Sequence, residues 1–344
     1  SLFTTVVVLK KQDGIRELVP FASAIIVIIE VFFLILLVFI SNPFAKLHYI
    51  PSEGLGLNPL LENPAMVIHP PLLLAGYAGF AIPFAFAMSA LVTKNLGPEW
   101  IIAARGWALL IWLLLGIGNI AGAWWAYTEV GWGGYWAWDP VENAGLMPWL
   151  MATAFLHSST TQRRQGMLKV WNMLLIISIF LLIIFGTFLT RSGAVFSVHA
   201  FAELAQGSLF LGFILLALVG SLTLLYYRRR ELKSEAKLHS LFSRESLSFL
   251  TSLLLVVATY AIFLGTIFPV ISHAIRGVTL RVRSAFFEQV TGPIFLVTIL
   301  LMGICVFVGS RGMPRQNLIA KLLVPLSVAL IIGVGLFLGG VRNG

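Results

Sequence analysis

The fold class this sequence predicts is all-α: a polytopic integral membrane protein with about nine transmembrane helices and a tryptophan-rich loop outside the bilayer. Three observations predict it. Of the 344 residues, 59% are hydrophobic and 11% are charged, where a soluble domain carries about 25% charged residues. Apolar runs of roughly 18 residues or more recur along the whole length, each able to cross ~30 Å of hydrocarbon. Basic residues also crowd into alternate connections between those runs, as they do on the cytoplasmic side of a membrane.

In order, the first span reads Val19–Ile40 and follows the basic residues Lys10, Lys11 and Arg16. A connection rich in Pro, Asn and Gly then ends in HPP at 69–71, where proline breaks the chain into the second span, Leu72–Val92. The third span is Arg105–Ala126. A glycine- and tryptophan-rich loop leads into the fourth, Val141–Thr160, and the basic group Arg163, Arg164 and Lys169 brackets the turn to the fifth, Leu168–Thr190. The remaining spans are Ser208–Tyr227, Ser246–Phe268, Val290–Gly309 and Leu318–Gly340, with RRRELKSEAKLHSLFSR between the sixth and seventh. With nine spans, one set of connections holds only Lys46, Arg191, Arg276, Arg281, Arg283 and Arg342, and the rest of the 23 Lys and Arg lie in the other set. The richer set is cytoplasmic by this rule, which puts the tryptophan loop, His69 and His199 on the external side. The net charge of +9 is then mostly an orientation signal, not a nucleic-acid footprint. Cys305 is the one cysteine, so there is neither an intrachain disulfide nor a CxxC redox pair. The sequence starts at Ser1 with no signal-peptide pattern before the first span, and it reads as a fragment of a longer chain.

The stretch Gly122–Trp149 holds six of the ten tryptophans, and Trp112 precedes it on the third span. Indoles at headgroup level are ordinary anchors. That role does not explain Trp132, Trp136 and Trp138 in one short loop with Gly131, Gly133 and Gly134. Glycine lets backbone approach a ligand, and indole faces stack on flat rings, so the loop reads as a platform for a large planar ligand. Asp139 and Glu142 open the fourth span. Asp139 reads as an N-cap with Pro140 at the first helical position, and the cap orders the loop. His69 and His199 are on the external side with the platform between them, which suits axial ligation of a metal macrocycle. Read singly, each is a surface histidine. His157 is inside a span, where ionisable groups are uncommon and usually functional, but it is also near the inner interface. Arg191 either anchors the fifth span or grips a carboxylate, and haem carries two propionates. His48, His239 and His273 read as solvent-facing. No P-loop, nucleophile triad or metalloprotease pattern occurs.

WGGYWAWDPVEN at 132–143 resembles the tryptophan-rich WWD signature of haem-handling proteins. With HPPLLLAGYAGF at 69–80, GTFLTRSGAVFSVHAFA at 186–202, FSRES at 242–246 and LGTIFP at 264–269, the chain resembles the CcmF family of cytochrome c maturation, including its NrfE-type relatives. The resemblance implies one membrane domain over 1–344, with a haem-handling core at about 66–205 and C-terminal helices at 246–340. It implies a haem lyase subunit that takes haem b from the chaperone CcmE and positions it for thioether attachment to CxxCH of apocytochrome c. His69 and His199 would hold that haem beside Trp132, Trp136, Trp138, Asp139 and Arg191. His157, in FLHSS, matches the ligand of a second, buried b-type haem, whose partner histidine on a later helix has no match after Gly309. The implied partners are CcmE, CcmH/CcmI-type thiol and apocytochrome-binding subunits, apocytochrome c and the lipid bilayer, with no nucleic acid. The implied location is a bacterial or archaeal plasma membrane. A transporter of haem or another small molecule, or an assembly scaffold that binds no haem, are the competing readings.

Overall fold

The protein was analysed as a computed structural model that describes residues 15–46, 48–50, 52–54, 56–131, 133–193, 195, 197, 204–234, 243–308 and 315–340. The described residues are mostly α-helical, with no strand among them. These are α1 (Leu18–Phe39), α2 (Ala65–Gly79), α3 (Ala81–Thr93), α4 (Pro98–Trp125), α5 (Pro140–Gln165), α6 (Lys169–Arg191), α7 (Leu204–Arg228), α8 (Arg244–Arg276), α9 (Ser284–Phe307) and α10 (Arg315–Leu338). A 3-10 turn covers Pro59–Leu61, and a π-helical turn, Ala126–Val130, continues α4.

Seven described segments are long and apolar enough to cross a membrane, with α2 and α3 forming one of them across a break at Phe80. Two of the nine spans read from the sequence are not among these seven. Helix α10 carries only a shorter apolar stretch, Leu323–Leu336. Helix α5 has 26 residues, enough to span, but it carries Asn143, Ser158, Ser159, Thr161 and Gln162 among its buried positions. Those polar groups are tolerated because protein meets them instead of lipid. Asn172 Nδ2 on α6 donates to Gln162 Oε1 (2.8 Å), Ser158 bonds Asn172, and Gln165 Nε2 donates to Glu245 Oε1 on α8 (2.8 Å). Helix α5 thus forms the polar centre of the bundle, packed against α4, α6 and α8. Helices α7 and α9 instead turn large apolar side chains such as Leu216 and Ile299 outward, as lipid-facing helices do.

Helices α2 and α4 approach closely because glycines replace side chains along their seam. A Cβ on Gly76 would stand 2.9 Å from Leu115 Cβ, and one on Gly79 2.8 Å from Ile111. From the other helix, a Cβ on Gly118 would come within 3.0 Å of the Leu73 backbone nitrogen, and one on Gly122 within 2.5 Å of the His69 ring. Gly118 and Gly122 form a GxxxG pair, the small-residue spacing that lets membrane helices touch backbone to backbone.

The helices run alternately up and down. One end of the bundle collects the N-terminus of α2, the C-terminus of α4, the N-terminus of α5 and the C-terminus of α6, with the tryptophan loop between α4 and α5. At the opposite end Ser89 donates to the Leu18 carbonyl (2.8 Å) and Arg228 Nε to the Leu91 carbonyl (2.9 Å).

Candidate functional site

Helix α5 begins with the cap that Asp139 and Pro140 suggested. Asp139 Oδ1 accepts from the Val141 N–H (2.9 Å) and Glu142 Oε2 accepts from the Asp139 N–H (3.2 Å), a reciprocal capping box. Glu142 Oε2 also accepts from the Ala137 N–H (3.1 Å), so the same carboxylate orders the loop ahead of the helix. Ser197 donates to Asp139 Oδ1 (2.7 Å), tying the segment after α6 to this cap. Glu142 therefore accepts from backbone N–H groups and Asp139 from a backbone N–H and a hydroxyl, contacts that order the loop.

Between Gly131 and Pro140 the chain is held in an unusual path. Trp138 has φ +58°, a left-handed conformation that costs a non-glycine residue on the order of 1–3 kcal/mol. Two contacts hold it there, one of them anchored in turn to α8. Asn143 Nδ2 donates to the Trp138 carbonyl (3.2 Å) and to Thr266 Oγ1 on α8 (3.0 Å), and the Trp138 ring stacks on Phe287 of α9 with centroids 5.2 Å apart. A carbonyl only accepts, so the amide atom facing Trp138 is Nδ2. Trp136 meets Trp138 edge to face at 6.3 Å.

Trp136 faces the other way, into a cleft lined by His69, Leu73, Asn119, Gly122, Ala123, Trp125, Val141 and Glu142. His69 rises from the first turns of α2 and its Nδ1 lies 2.7 Å from the Gly118 carbonyl. That oxygen accepts only, so in the neutral ring Nδ1 carries the proton and the basic lone pair is on Nε2, the arrangement typical of a metal-ligating imidazole. The contact exists because Gly118 and Gly122 let the ring lie against α4. The cleft admits about 30 Å³ of water-sized space. Above it, Trp125 Nε1 donates to the Leu60 carbonyl (2.8 Å) and Asn63 Nδ2 to Glu129 Oε1 (2.8 Å), which pins the segment ahead of α2 onto the π-helical turn. Tyr127 and Tyr135 stack at 4.3 Å on the exposed side of the loop.

Residues 1–196 match the family described as Cytochrome C assembly protein. The chain belongs to that family. Its relatives include a cytochrome c-type biogenesis protein CcmF of Pseudomonas aeruginosa, 42% identical over 90% of this chain and 47% of the relative. The CcmF of Escherichia coli is 38% identical over 96% of the chain and 51% of the relative, and a NrfE of Haemophilus influenzae is 40% identical over 85% and 47%. A solved structure titled cytochrome c heme lyase CcmF superposes with a TM-score of 0.75 at 32% identity, covering 97% of this chain and 49% of that one. The chain spans about half the length of the curated relatives it matches.

Of the residues singled out from the sequence of this family member, the structure brings together His69 and Trp136 in one cleft and places Trp138 and Asp139 in a separate cavity with Asn143, Thr266, Arg281 and Phe287. Trp138 is not a free stacking face, because Phe287 already covers one side of its ring. Arg191 is the last residue of α6, exposed, at the same end of the bundle. His157 stands apart. It lies 17 residues beyond Pro140 on α5, roughly 26 Å down the helix axis, half-buried and with no hydrogen-bond partner among the described residues. Trp132 and His199 lie outside the described residues. Three features escaped the sequence reading. Gly118 and Gly122 could have been found as a GxxxG pair in an apolar run. Asn143 gave no local signal, since its partners come from Trp138 and the distant Thr266. Glu30, an acid in the middle of α1, carried the signal of an ionisable group inside a span; it lines an apolar cleft with Phe33, Tyr77 and Thr187.

Proposed function

We propose that this chain is a haem-handling subunit of a cytochrome c haem lyase, with His69 as a ligand to the iron of the haem substrate. The observation that carries the reading is the His69 imidazole. Gly118 holds its tautomer, Gly122 makes room for its ring, and it shares a cleft with Trp136 in the family's tryptophan-rich segment. The donor set fits a haem: a neutral imidazole with its lone pair on Nε2, an indole beside it, and an arginine, Arg191, at the same end to meet a propionate. The room does not yet fit. A space of about 30 Å³ holds a water and not a tetrapyrrole, so binding requires Trp136 to move away from His69.

In this reading CcmE delivers haem b on the external side of a bacterial plasma membrane. His69 and His199 hold the iron, and Trp132, Trp136 and Trp138 line the ring. The reaction is redox-neutral: each apocytochrome S–H adds across a haem vinyl C=C, forming one C–S bond and one C–H bond. The chain's share is placement, which turns a two-body encounter into a positioned one, while the addition is chemistry of haem and thiolate. Partners of CcmH/CcmI type supply the apocytochrome and keep its CxxCH thiols reduced, because Cys305 alone cannot. His157 would hold a resident b-type haem, which would relay electrons from an external reductant to keep the substrate iron ferrous; its half-buried imidazole inside a span is the donor such a group needs. That second haem requires another ligand.

The test is the visible spectrum of protein coexpressed with the rest of the maturation pathway. Wild type is expected to carry a Soret band. His69→Ala should lose most of the external haem and with it holocytochrome formation, whereas His157→Ala should change the spectrum and leave delivery of haem to the loop intact. A colourless wild type would sink the reading and favour a scaffold.

A further inference from the structure

At the end of the bundle opposite the tryptophan loop, two arginines from neighbouring helices come to nearly the same level. Arg105 is two turns from the start of α4, and Arg163 is in the last turn of α5. The helices are antiparallel and clamped where Trp112 Nε1 donates to Thr153 Oγ1 (2.8 Å). Arg105 is seven residues from that clamp and Arg163 ten, on the same side of it. At 1.5 Å per residue the two therefore lie within about 5 Å of one level. They are close enough for their charges to repel. Arg105 is half-buried, and its Nε is buried with no hydrogen-bond partner. Glu245 accepts from Gln165, Glu231 pairs with Arg228 at 3.6 Å, and neither Arg105 nor Arg163 has an ion pair among the described residues.

A partly desolvated guanidinium beside a second one, with an N–H left over, is costly unless an anion meets it. Guanidinium forks match phosphate oxygens in geometry and are weakly hydrated, so they suit this depth. The surface beneath Arg105 completes the ligand's description. Leu109, Leu113 and Ile120 follow it at helical spacing on α4, each at least 47% exposed. A headgroup held at Arg105 would leave its chains lying along this apolar strip.

We propose that the notch between α4 and α5 binds the phosphodiester headgroup of an anionic phospholipid, with Arg105 and Arg163 donating to its non-bridging oxygens. The site is distinct from the haem-handling end and would fix the bundle's depth against one leaflet. It differs from a general attraction of basic loops to anionic lipid, because it depends on two named side chains and not on total charge.

The experiment uses the delipidated full chain in neutral detergent. Phosphatidylglycerol, phosphatidylcholine or inorganic phosphate is added, and bound lipid is counted by intact-complex mass spectrometry alongside thermal unfolding. Wild type is expected to retain phosphatidylglycerol in preference to phosphatidylcholine and to unfold at higher temperature with it. The Arg105→Gln, Arg163→Gln double variant should bind phosphatidylglycerol about tenfold more weakly, as for loss of a charge-assisted pair, and should be no less stable than wild type without lipid. Lys233→Gln removes one exposed charge from the same end and should leave binding unchanged. Equal binding of the two lipids, an unchanged affinity in the double variant, or the same stabilisation by inorganic phosphate would each overturn the lipid assignment.

Discussion

At the scale of single residues, the cleft depends on atoms that are absent. Gly122 has no Cβ, and one placed there would stand 2.5 Å from His69 Cε1. Gly122→Ala must therefore push the imidazole off the Gly118 carbonyl or bend α4, an overpacking cost of about 1–3 kcal/mol. If that cost falls on the ligand geometry, haem retention drops roughly tenfold or more, since ~1.4 kcal/mol is a factor of ten. Visible absorbance per mole of purified protein measures it, and an unchanged haem content in a folded Gly122→Ala protein would count against His69 as a ligand. Asp139 makes a different kind of contribution. Asp139→Ala removes the acceptor for Val141 N–H and Ser197, and a lost cap costs about 0.5–2 kcal/mol. Asp139→Asn keeps an acceptor oxygen, so it should unfold close to wild type while Asp139→Ala unfolds at lower temperature. Equal loss in both would mean that charge, and not capping, is what Asp139 supplies.

Among the helices, the α2–α4 seam sets how deep His69 sits, and glycine substitutions along it separate contact from propensity. A Cβ at Gly118 meets the Leu73 backbone at 3.0 Å, and backbone cannot swing aside, whereas a Cβ at Gly106 meets nothing within 4 Å. Gly106→Ala should thus be neutral or stabilising by up to about 1 kcal/mol through helix propensity. Gly118→Ala should destabilise despite the same propensity gain, and the pair of melting temperatures in one detergent decides it. This seam also marks the limit of what could be read beforehand. The positions of α1, α4, α6 and α8 are legible because apolar length and basic flanks are local properties, and the capping box at Asp139 and Glu142 is a local pattern too. Helix α5 was placed correctly, but its polar character belongs to partners on α6 and α8 that no local window contains. For the same reason Trp138 read as an open stacking face: Phe287, which covers it, lies about 150 residues away in sequence.

The whole molecule has a polarity that both proposals use. Basic residues gather at one end, where Arg105, Arg163, Arg164 and Arg228 lie, and the tryptophan loop occupies the other. If the basic end faces the cytoplasm, as the positive-inside bias requires, haem must be presented from outside and the anionic lipid must come from the inner leaflet. Cys305 is the chain's one cysteine, so Cys305→Ser gives a clean background in which new cysteines report their side of the membrane. Tyr135 is exposed on the loop and Arg164 is exposed at the far end, and neither touches the proposed ligands. In intact spheroplasts a membrane-impermeant maleimide should label Tyr135→Cys and leave Arg164→Cys unlabelled until the membrane is permeabilised. The reverse pattern would place the loop in the cytoplasm. External haem delivery and the inner-leaflet lipid would then fail together, even though the His69 geometry and the paired arginines would stand as they are. Labelling of both sites in intact spheroplasts would mean that the chain does not sit across the bilayer with its ends on opposite sides, and the up-and-down bundle would need another environment.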